Sequence, residues 1–250
     1  MNRSGNTVLI TGGGSGIGLE LAALLVATGN TVIICGRSEE KLRAAQQRIP
    51  SLHIRVADVG KEEVRCRLAE EVVKDFPGLD VLINNAGILH EMNLLTMSPE
   101  LAMNQWREEA ATNCEAPFHL SLLLLPHLRS KSGASIVNVT SGYIYAPGVR
   151  SPAYAATKAA AHAMTQALRI QLQGTQVRVV EVMPPPVDTA SASQYKGSKM
   201  PPAVFAQKMF AGLVSGRLEL RIGMVGMLYW LGRFSPGFAI KAVNPPQERF

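Results

Sequence analysis

At 250 residues, 47% hydrophobic and 18% charged, the chain is long enough for one well-buried α/β domain and marginal for two, and its composition excludes a disordered or low-complexity protein. Three cysteines (Cys35, Cys66, Cys114) and five histidines are dispersed without a CxxC or Cys/His cluster, which argues against a disulfide framework or a structural metal. The net charge of +6 is concentrated late, at residues such as Lys196, Lys208, Arg217, Arg233 and Arg249; it suits a solvated face, an anionic ligand or a membrane surface, and no nucleic-acid-binding module is recognisable.

The opening "MNRSGNTVLITGG" reaches an apolar run at once, so no signal peptide is expected and the compartment is read as reducing and cytoplasmic. "TVLIT" (7–11) is a buried strand running into glycines. Residues 16–28 have helical apolar spacing and stop at Gly29. "TVIIC" (31–35) is a second strand; "SEEKLRAAQQRI" is a helix with Ser38 as N-cap and acids in its first turn. A third strand spans "LHIRVADV", a third helix 61–75, and "LDVLINNAG" is a fourth strand ending in a turn. A long helical region runs to about Leu128, followed by a strand at 135–141, a helix at 152–173 and a strand at 176–182 closed by three prolines. A helix at 203–214 and a partly exposed edge strand at 217–222 complete the pattern.

Alternating apolar strands and helices predict a doubly wound parallel sheet of about seven strands with helices on both faces, a Rossmann-type three-layer α/β sandwich. No linker divides it, so residues 1–250 are expected to form one dinucleotide-binding and catalytic domain with an apolar C-terminal tail from about 223. In such folds ligands lie beyond the carboxyl ends of the strands.

"TGGGSGIG" (11–18) sits between the first strand and first helix. Gly12, Gly16 and Gly18 permit a tight turn, close approach of a pyrophosphate and close packing of the helix, whose N-terminus offers N–H groups to phosphate. Tyr154 and Lys158 stand four apart, hence on one helical face. Free tyrosine, with a pKa near 10, is a poor base at neutral pH. A neighbouring ammonium is expected to lower it by favouring the phenolate.

With its GxxxGxG spacing, the chain resembles the short-chain dehydrogenase/reductase superfamily over residues 7 to about 222. The matching segments, in order, are the glycine loop, "ADV" (57–59), "NNAG" (84–87), Asn113, Ser141, "YAATK" (154–158) and "PPPVDT" (184–189). A narrower likeness, carried by "GNTVLITGGGSGIGLELA", "VIICGRSEEKL", the Pro-Pro-x-Val-Asp-Thr variant and the apolar C-terminus, is to a DltE-like oxidoreductase branch. The resemblance implies a catalytic set of Asn113, Ser141, Tyr154 and Lys158. Ser141 would hold the substrate oxygen, Tyr154 transfer its proton, Lys158 also hold the ribose, and Asn113 anchor a water near Lys158. It implies cofactor contacts at Gly12, Ser15, Gly16, Ile17, Gly18, Asp58, Val59, Asn85, Ala86, Gly87, Tyr154, Lys158, Val187 and Thr189, and no metal. It also implies a homodimer or homotetramer packed through the helices near 100–130 and 152–173.

The end of the second strand bears on cofactor choice. Gly36 stands where an acid would bind the 2′-hydroxyl of NAD, and Arg37 follows, able to clamp a 2′-phosphate. NADP(H) is therefore favoured over NAD(H), although the glycine loop lacks the extra basic residue of some NADP-preferring relatives. Pro185 replaces the glycine of the family's Pro-Gly, stiffening that loop. An asparagine within a helical pattern competes for backbone hydrogen bonds, so a kink is expected at Asn113.

Leu89, His90, Tyr143, Tyr145, Val149 and the segment 190–202 are candidate pocket residues and suggest a medium-sized, partly apolar substrate. The apolar tail 222–243, broken by Arg233 and Pro236, is too short to span a bilayer, which takes about 20 residues. It suits core or subunit packing, with peripheral membrane contact as the other possibility. The expected function is an NADP(H)-dependent carbonyl/alcohol oxidoreductase acting on a small-molecule substrate. An NAD-linked alcohol dehydrogenase and a non-catalytic cofactor-sensing or scaffold protein on the same fold remain alternatives.

Overall fold

The structure, a computed structural model, describes residues 1–193 and 195–245. Gln194 and the end of the tail, including Arg249, lie outside the described residues. Seven strands, β1 (Thr7–Thr11), β2 (Thr31–Gly36), β3 (His53–Val56), β4 (Leu79–Asn84), β5 (Ser135–Val139), β6 (Arg178–Met183) and β7 (Glu219–Arg221), form one parallel sheet in the order β3-β2-β1-β4-β5-β6-β7. The order reverses between β1 and β4, where a crevice opens at the strands' carboxyl ends.

Alternation along each strand splits the core into two layers. Val8, Ile10, Val32, Ile34, Val81 and Ile83 face one side. There they meet Leu21 and Leu25 of α1 (Gly16–Ala27), Leu42 of α2 (Glu39–Arg48), and Phe205 and Met209 of α7 (Pro202–Val214). Leu9, Ile33, Leu82, Ile136 and Val179 face the other. They pack on Leu68 and Val72 of α3 (Glu62–Asp75), Leu120 and Leu124 of α5 (Ala116–Arg129), and Leu168 of α6 (Pro152–Gln171). Both faces are covered, which is why the strands read as continuous apolar runs.

The long helical region after β4 is not one helix. α4 (Pro99–Ala110) passes through a π-helical segment (Ala111–Glu115) into α5. The irregularity expected at Asn113 is this π segment, the kind of bulge that recurs at functional sites. Ser38 caps α2 as expected, its hydroxyl accepting the Lys41 N–H at 3.2 Å. β7 is a three-residue edge with Leu220 buried and its two neighbours half-buried. The apolar tail folds as two short helices, α8 (Val225–Phe234) and α9 (Pro236–Val243). Among the described residues no helix is long and apolar enough to cross a membrane.

Candidate active site

The segments singled out in the sequence all emerge at the carboxyl edge of the sheet. The glycine loop follows β1; Gly12 turns it with φ +67°, a conformation that favours glycine. Gly18 lets α1 press on that turn: a Cβ there would stand 2.4 Å from the Gly12 carbonyl oxygen and 2.7 Å from Asn85 Nδ2. Gly18→Ala should therefore cost about 1–3 kcal/mol through overpacking. A thermal melt superimposable on that of the unsubstituted protein would refute this close fit.

A clasp fixes the loop to the end of β4. The Asn85 amide donates to the carbonyls of Thr11 (3.0 Å) and Gly12 (3.2 Å), while Thr11 Oγ1 accepts the N–H groups of Asn85 and Ala86, each at 3.0 Å. Thr11 is a strut that sequence reasoning missed; it read simply as the last residue of a strand. Ser15 precedes α1 in extended conformation, its hydroxyl not spent on capping the helix. Asp58, after β3, accepts the Gly60 N–H at 3.1 Å, and the Val59 carbonyl accepts from Arg65 at 2.9 Å.

A single open cavity of about 760 Å³ runs along this edge. Gly12, Ser15, Ile17, Arg37, Asp58, Val59, Asn85, Ala86 and Gly87 line one end, and Ser141, Tyr154, Lys158, Val187 and Thr189 the other. Gly16, Gly18 and Asn113 are not in the lining. The two glycines shape the wall from behind. A Cβ on Gly16 would come within 3.0 Å of Thr189 Cγ2. Lys41, one turn into α2, lines the cavity beside Arg37 and was overlooked in the sequence. Its signal was its position four residues after Arg37, which sets both at the start of α2.

The three residues expected to react, Ser141, Tyr154 and Lys158, are held from two elements. Ser141 follows β5 and accepts the Tyr143 N–H on its hydroxyl at 3.2 Å, and its own O–H bonds towards Tyr154. Tyr154 and Lys158 project from the first turns of α6. Burial pushes Tyr154 up to about 12; hydrogen bonding to Ser141 pulls it down, and the charges of Tyr143 and Glu109 push it up. Burial pushes Lys158 down to about 8, opposed by Cys114 and Glu109. The expectation that Lys158 lowers the tyrosine is not met in this structure. The ammonium donates to the Val139 carbonyl at 2.9 Å and lies 5.7 Å from the Tyr154 ring centroid, and desolvation of the phenolate wins. Asn113 binds the Ile88 backbone at both ends, 2.9 Å each way, and Thr157 Oγ1 at 3.2 Å. Its amide is a brace between α6 and the chain after β4.

Three of the candidate pocket residues, Leu89, Tyr143 and Val149, line the cavity, as do Ala190, Ser191 and Tyr195 of the 190–202 segment. Tyr145 and His90 do not. The Tyr145 hydroxyl accepts from Arg221 at 2.9 Å, and His90 turns to Glu109. The tail supplies a wall that the sequence reading had assigned to core or subunit packing. Met224, Leu228 and Leu231 of the α8 segment and Val243 beyond it face the cavity. Asn244 ties that wall down, accepting the Val149 N–H at 2.6 Å and donating to the Pro147 carbonyl at 2.9 Å. Asn244→Ala strands those two groups, worth about 1–3 kcal/mol each if left unpaired. It should raise KM for the organic substrate several-fold and leave cofactor affinity unaltered; equal effects on both would refute the wall's separate role.

The chain is similar to known proteins. The model of the short chain dehydrogenase family matches residues 6–199. The chain is 48% identical over 189 residues to the "Uncharacterized oxidoreductase DltE" of Bacillus subtilis, covering 76% of this chain and 74% of that one. It is 31% identical to an uncharacterized oxidoreductase of Staphylococcus aureus, also over 189 residues, 75% of this chain and 80% of that one. Among solved structures it is similar to a short chain dehydrogenase from Burkholderia cenocepacia in complex with NADP, with TM-score 0.85, 25% identity, and 97% and 98% of the two chains covered. A variant of the actinorhodin polyketide ketoreductase with NADPH gives TM-score 0.78 and 26% identity, covering 90% and 99%. The chain belongs to the short-chain dehydrogenase family, on its DltE-like branch, and is an oxidoreductase of that family.

Proposed function

We propose that the protein is an NADP(H)-dependent oxidoreductase that moves a hydride between the nicotinamide and a carbonyl or secondary-alcohol carbon, with Tyr154 as general acid/base. The observation that carries this reading is one cavity lined by the glycine loop, by Arg37 and Lys41 and by Ser141, Tyr154 and Lys158.

The residues present fit a dinucleotide. The cradle at Gly12 is too tight for a side chain, Ser15 and the start of α1 offer donors, and Arg37 and Lys41 suit a 2′-phosphate. The NADP and NADPH carried by the two similar structures agree with that choice. When bound, the cofactor would supply or accept the hydride, and its oxidised form would carry a positive charge on the ring. Ser141, hydrogen-bonded to Tyr154 in this chain, turns its O–H to the substrate oxygen and orients it. Tyr154, which this chain holds protonated, gives its proton to that oxygen in the reductive direction and takes it back in the oxidative one. Lys158, deep in the site, favours the phenolate electrostatically once it forms. The apolar wall from α8 and α9 excludes water from the substrate end and suits a medium-sized, partly apolar substrate.

The whole chain acts as one catalytic unit, its tail closing the substrate end. Exposed Met103, Trp106, Phe118, Leu122 and Met164 on α4, α5 and α6 support a homodimer or homotetramer through those helices. The three unpaired thiols suit a reducing, cytoplasmic compartment. A screen of NADPH and NADH oxidation against a panel of ketones and aldehydes tests the reading. Carbonyl-dependent consumption that favours NADPH is expected. Binding of NADPH without turnover of any carbonyl would favour the sensing alternative.

A further inference from the structure

The two helices after β7 have an inner and an outer face. Inward, Val225 is buried, Leu228 and Leu231 line the cavity, and Tyr229 carries the Arg221 guanidinium over its ring at 4.0 Å and meets Tyr145 edge-on at 5.3 Å. Outward, Met227, Trp230 and Phe234 stand at i, i+3 and i+7, so they share one stripe of α8. Trp230 and Phe234 stack with ring centroids 5.7 Å apart. Phe238 adds an exposed aromatic ring on α9, and these four residues range from 56% (Trp230) to 78% (Phe234) exposed. A surface helix ordinarily turns polar residues to solvent; here the outward stripe is apolar. The charges beside it are of one sign: Arg233 and Lys241 are exposed, and residues 222–245 contain no aspartate or glutamate.

We propose that the outer face of α8 and α9 docks on an anionic lipid bilayer, lying in its interface rather than crossing it. Charge selects a bilayer over a second copy of the chain. Two copies joined face to face about a two-fold axis would set the cations of one against those of the other, with no acid in 222–245 to answer them. An anionic headgroup layer answers them directly. The exposed apolar residues assigned above to subunit packing lie on α4, α5 and α6, so that assembly draws on other helices. A Cβ added at Gly226 or Gly237 would meet nothing within 4 Å, so the backbone there stands clear of the rest of the chain. Tryptophan, phenylalanine and methionine side chains that project from the surface suit the boundary between headgroups and acyl chains, and the Arg233 and Lys241 stems can reach past them to phosphate. Neither helix is long and apolar enough to span a bilayer. The docking face also adjoins the cavity. Met224 and Met227 are both exposed and line it, so its apolar wall reaches the surface at the edge of the patch. A bilayer seated there lies beside the cavity mouth, within reach of an apolar substrate. That last consequence rests on the oxidoreductase reading; the docking does not.

The chain has two tryptophans, Trp106 on α4 and Trp230 on α8. In the full chain carrying Trp106→Phe, tryptophan emission therefore reports the patch alone. Vesicles of equimolar phosphatidylcholine and phosphatidylglycerol should shift that emission to the blue and carry the unsubstituted protein into the floating fraction of a density gradient. Binding to pure phosphatidylcholine vesicles at low salt should be about tenfold weaker, because each cation near an anionic surface adds to the affinity. Arg233→Gln with Lys241→Gln should bring the two kinds of vesicle to within about two-fold of each other. Phe234→Ser with Phe238→Ser, made at exposed positions, should weaken binding to the mixed vesicles by about tenfold or more. No flotation with the mixed vesicles, equal binding of the unsubstituted protein to both kinds, or full binding by the Phe234→Ser, Phe238→Ser protein overturns the proposal. So does Trp230 emission that is already blue without vesicles and moves to the red on dilution, the sign of a second copy on this face. Should the double variant not fold, flotation of the unsubstituted protein with each kind of vesicle decides. No turnover enters these measurements, so the reading of Tyr154 fails separately, on the activity of Tyr154→Phe.

Discussion

Tyr154→Phe is expected to lower kcat by about 10²–10⁴-fold, the usual worth of a positioned general acid or base. The substitution removes one oxygen and little else. The ring would still meet Tyr143 edge-on at 6.1 Å and still lie under the Lys158 ammonium. Ser141 keeps the Tyr143 N–H on its hydroxyl and so keeps its place. Cofactor affinity, read by quenching of protein fluorescence or enhancement of NADPH fluorescence, should change by no more than a few-fold, and the melting temperature should hold. This split separates a chemical role from a structural one, because a merely packed tyrosine would lose stability before turnover. A variant within tenfold of the original kcat would remove Tyr154 from the mechanism. The burial that pushes this phenol up to about 12 gives the prediction its direction. The chain by itself holds Tyr154 as an acid ready to donate, so carbonyl reduction should persist as pH rises through neutrality. Oxidation, which needs the phenolate, should instead climb with pH.

The second large effect is expected at Arg37. Arg37→Asp should shift the ratio of kcat/KM for NADPH over NADH by about 100-fold towards NADH. Loss of a charge-assisted hydrogen bond is worth about 1.5–3 kcal/mol, roughly 10- to 150-fold, and the new carboxylate both repels a 2′-phosphate and can accept from a 2′-hydroxyl. Arg37 is solvent-exposed at the cavity edge, after Gly36, so the change should leave the fold intact. Lys41 remains in the single variant, which is why NADPH use should fall without vanishing; adding Lys41→Ala should deepen the loss. An unaltered cofactor ratio in the Arg37→Asp protein would sink the role given to this arginine.

The fold was legible because both faces of the sheet are covered. Burial makes β1 and β2 nearly continuous apolar runs and leaves β4, β5 and β6 mostly apolar around Asp80, Asn138 and Glu181, and the punctuating glycines, prolines and Ser38 mark their helices. The site was legible where one residue type at one spacing does one job, as in the glycine loop and the Tyr154–Lys158 turn. Other features depend on contacts across the chain and leave no local pattern. Thr11 and Asn85 meet over 74 positions, and Asn244 reaches the 147–149 loop from more than ninety residues away. Tyr145 and His90 look like pocket residues in sequence because they adjoin Tyr143 and Leu89. Arg221 and Glu109 draw them elsewhere. The direction of the Tyr154 shift was also beyond reach, since a lysine four residues on says nothing of how deeply the phenol is buried.

The wall made by α8 and α9 has a consequence for how such an enzyme diversifies. The family match stops at residue 199, and the wall begins at Met224. The machinery proposed to move a hydride and a proton thus occupies one stretch of chain, while much of the apolar wall of the same cavity occupies another, tethered at its far end by Asn244. Mutation can rewrite the second stretch at little risk to the first. A lineage built this way can inherit its reaction and exchange its clientele.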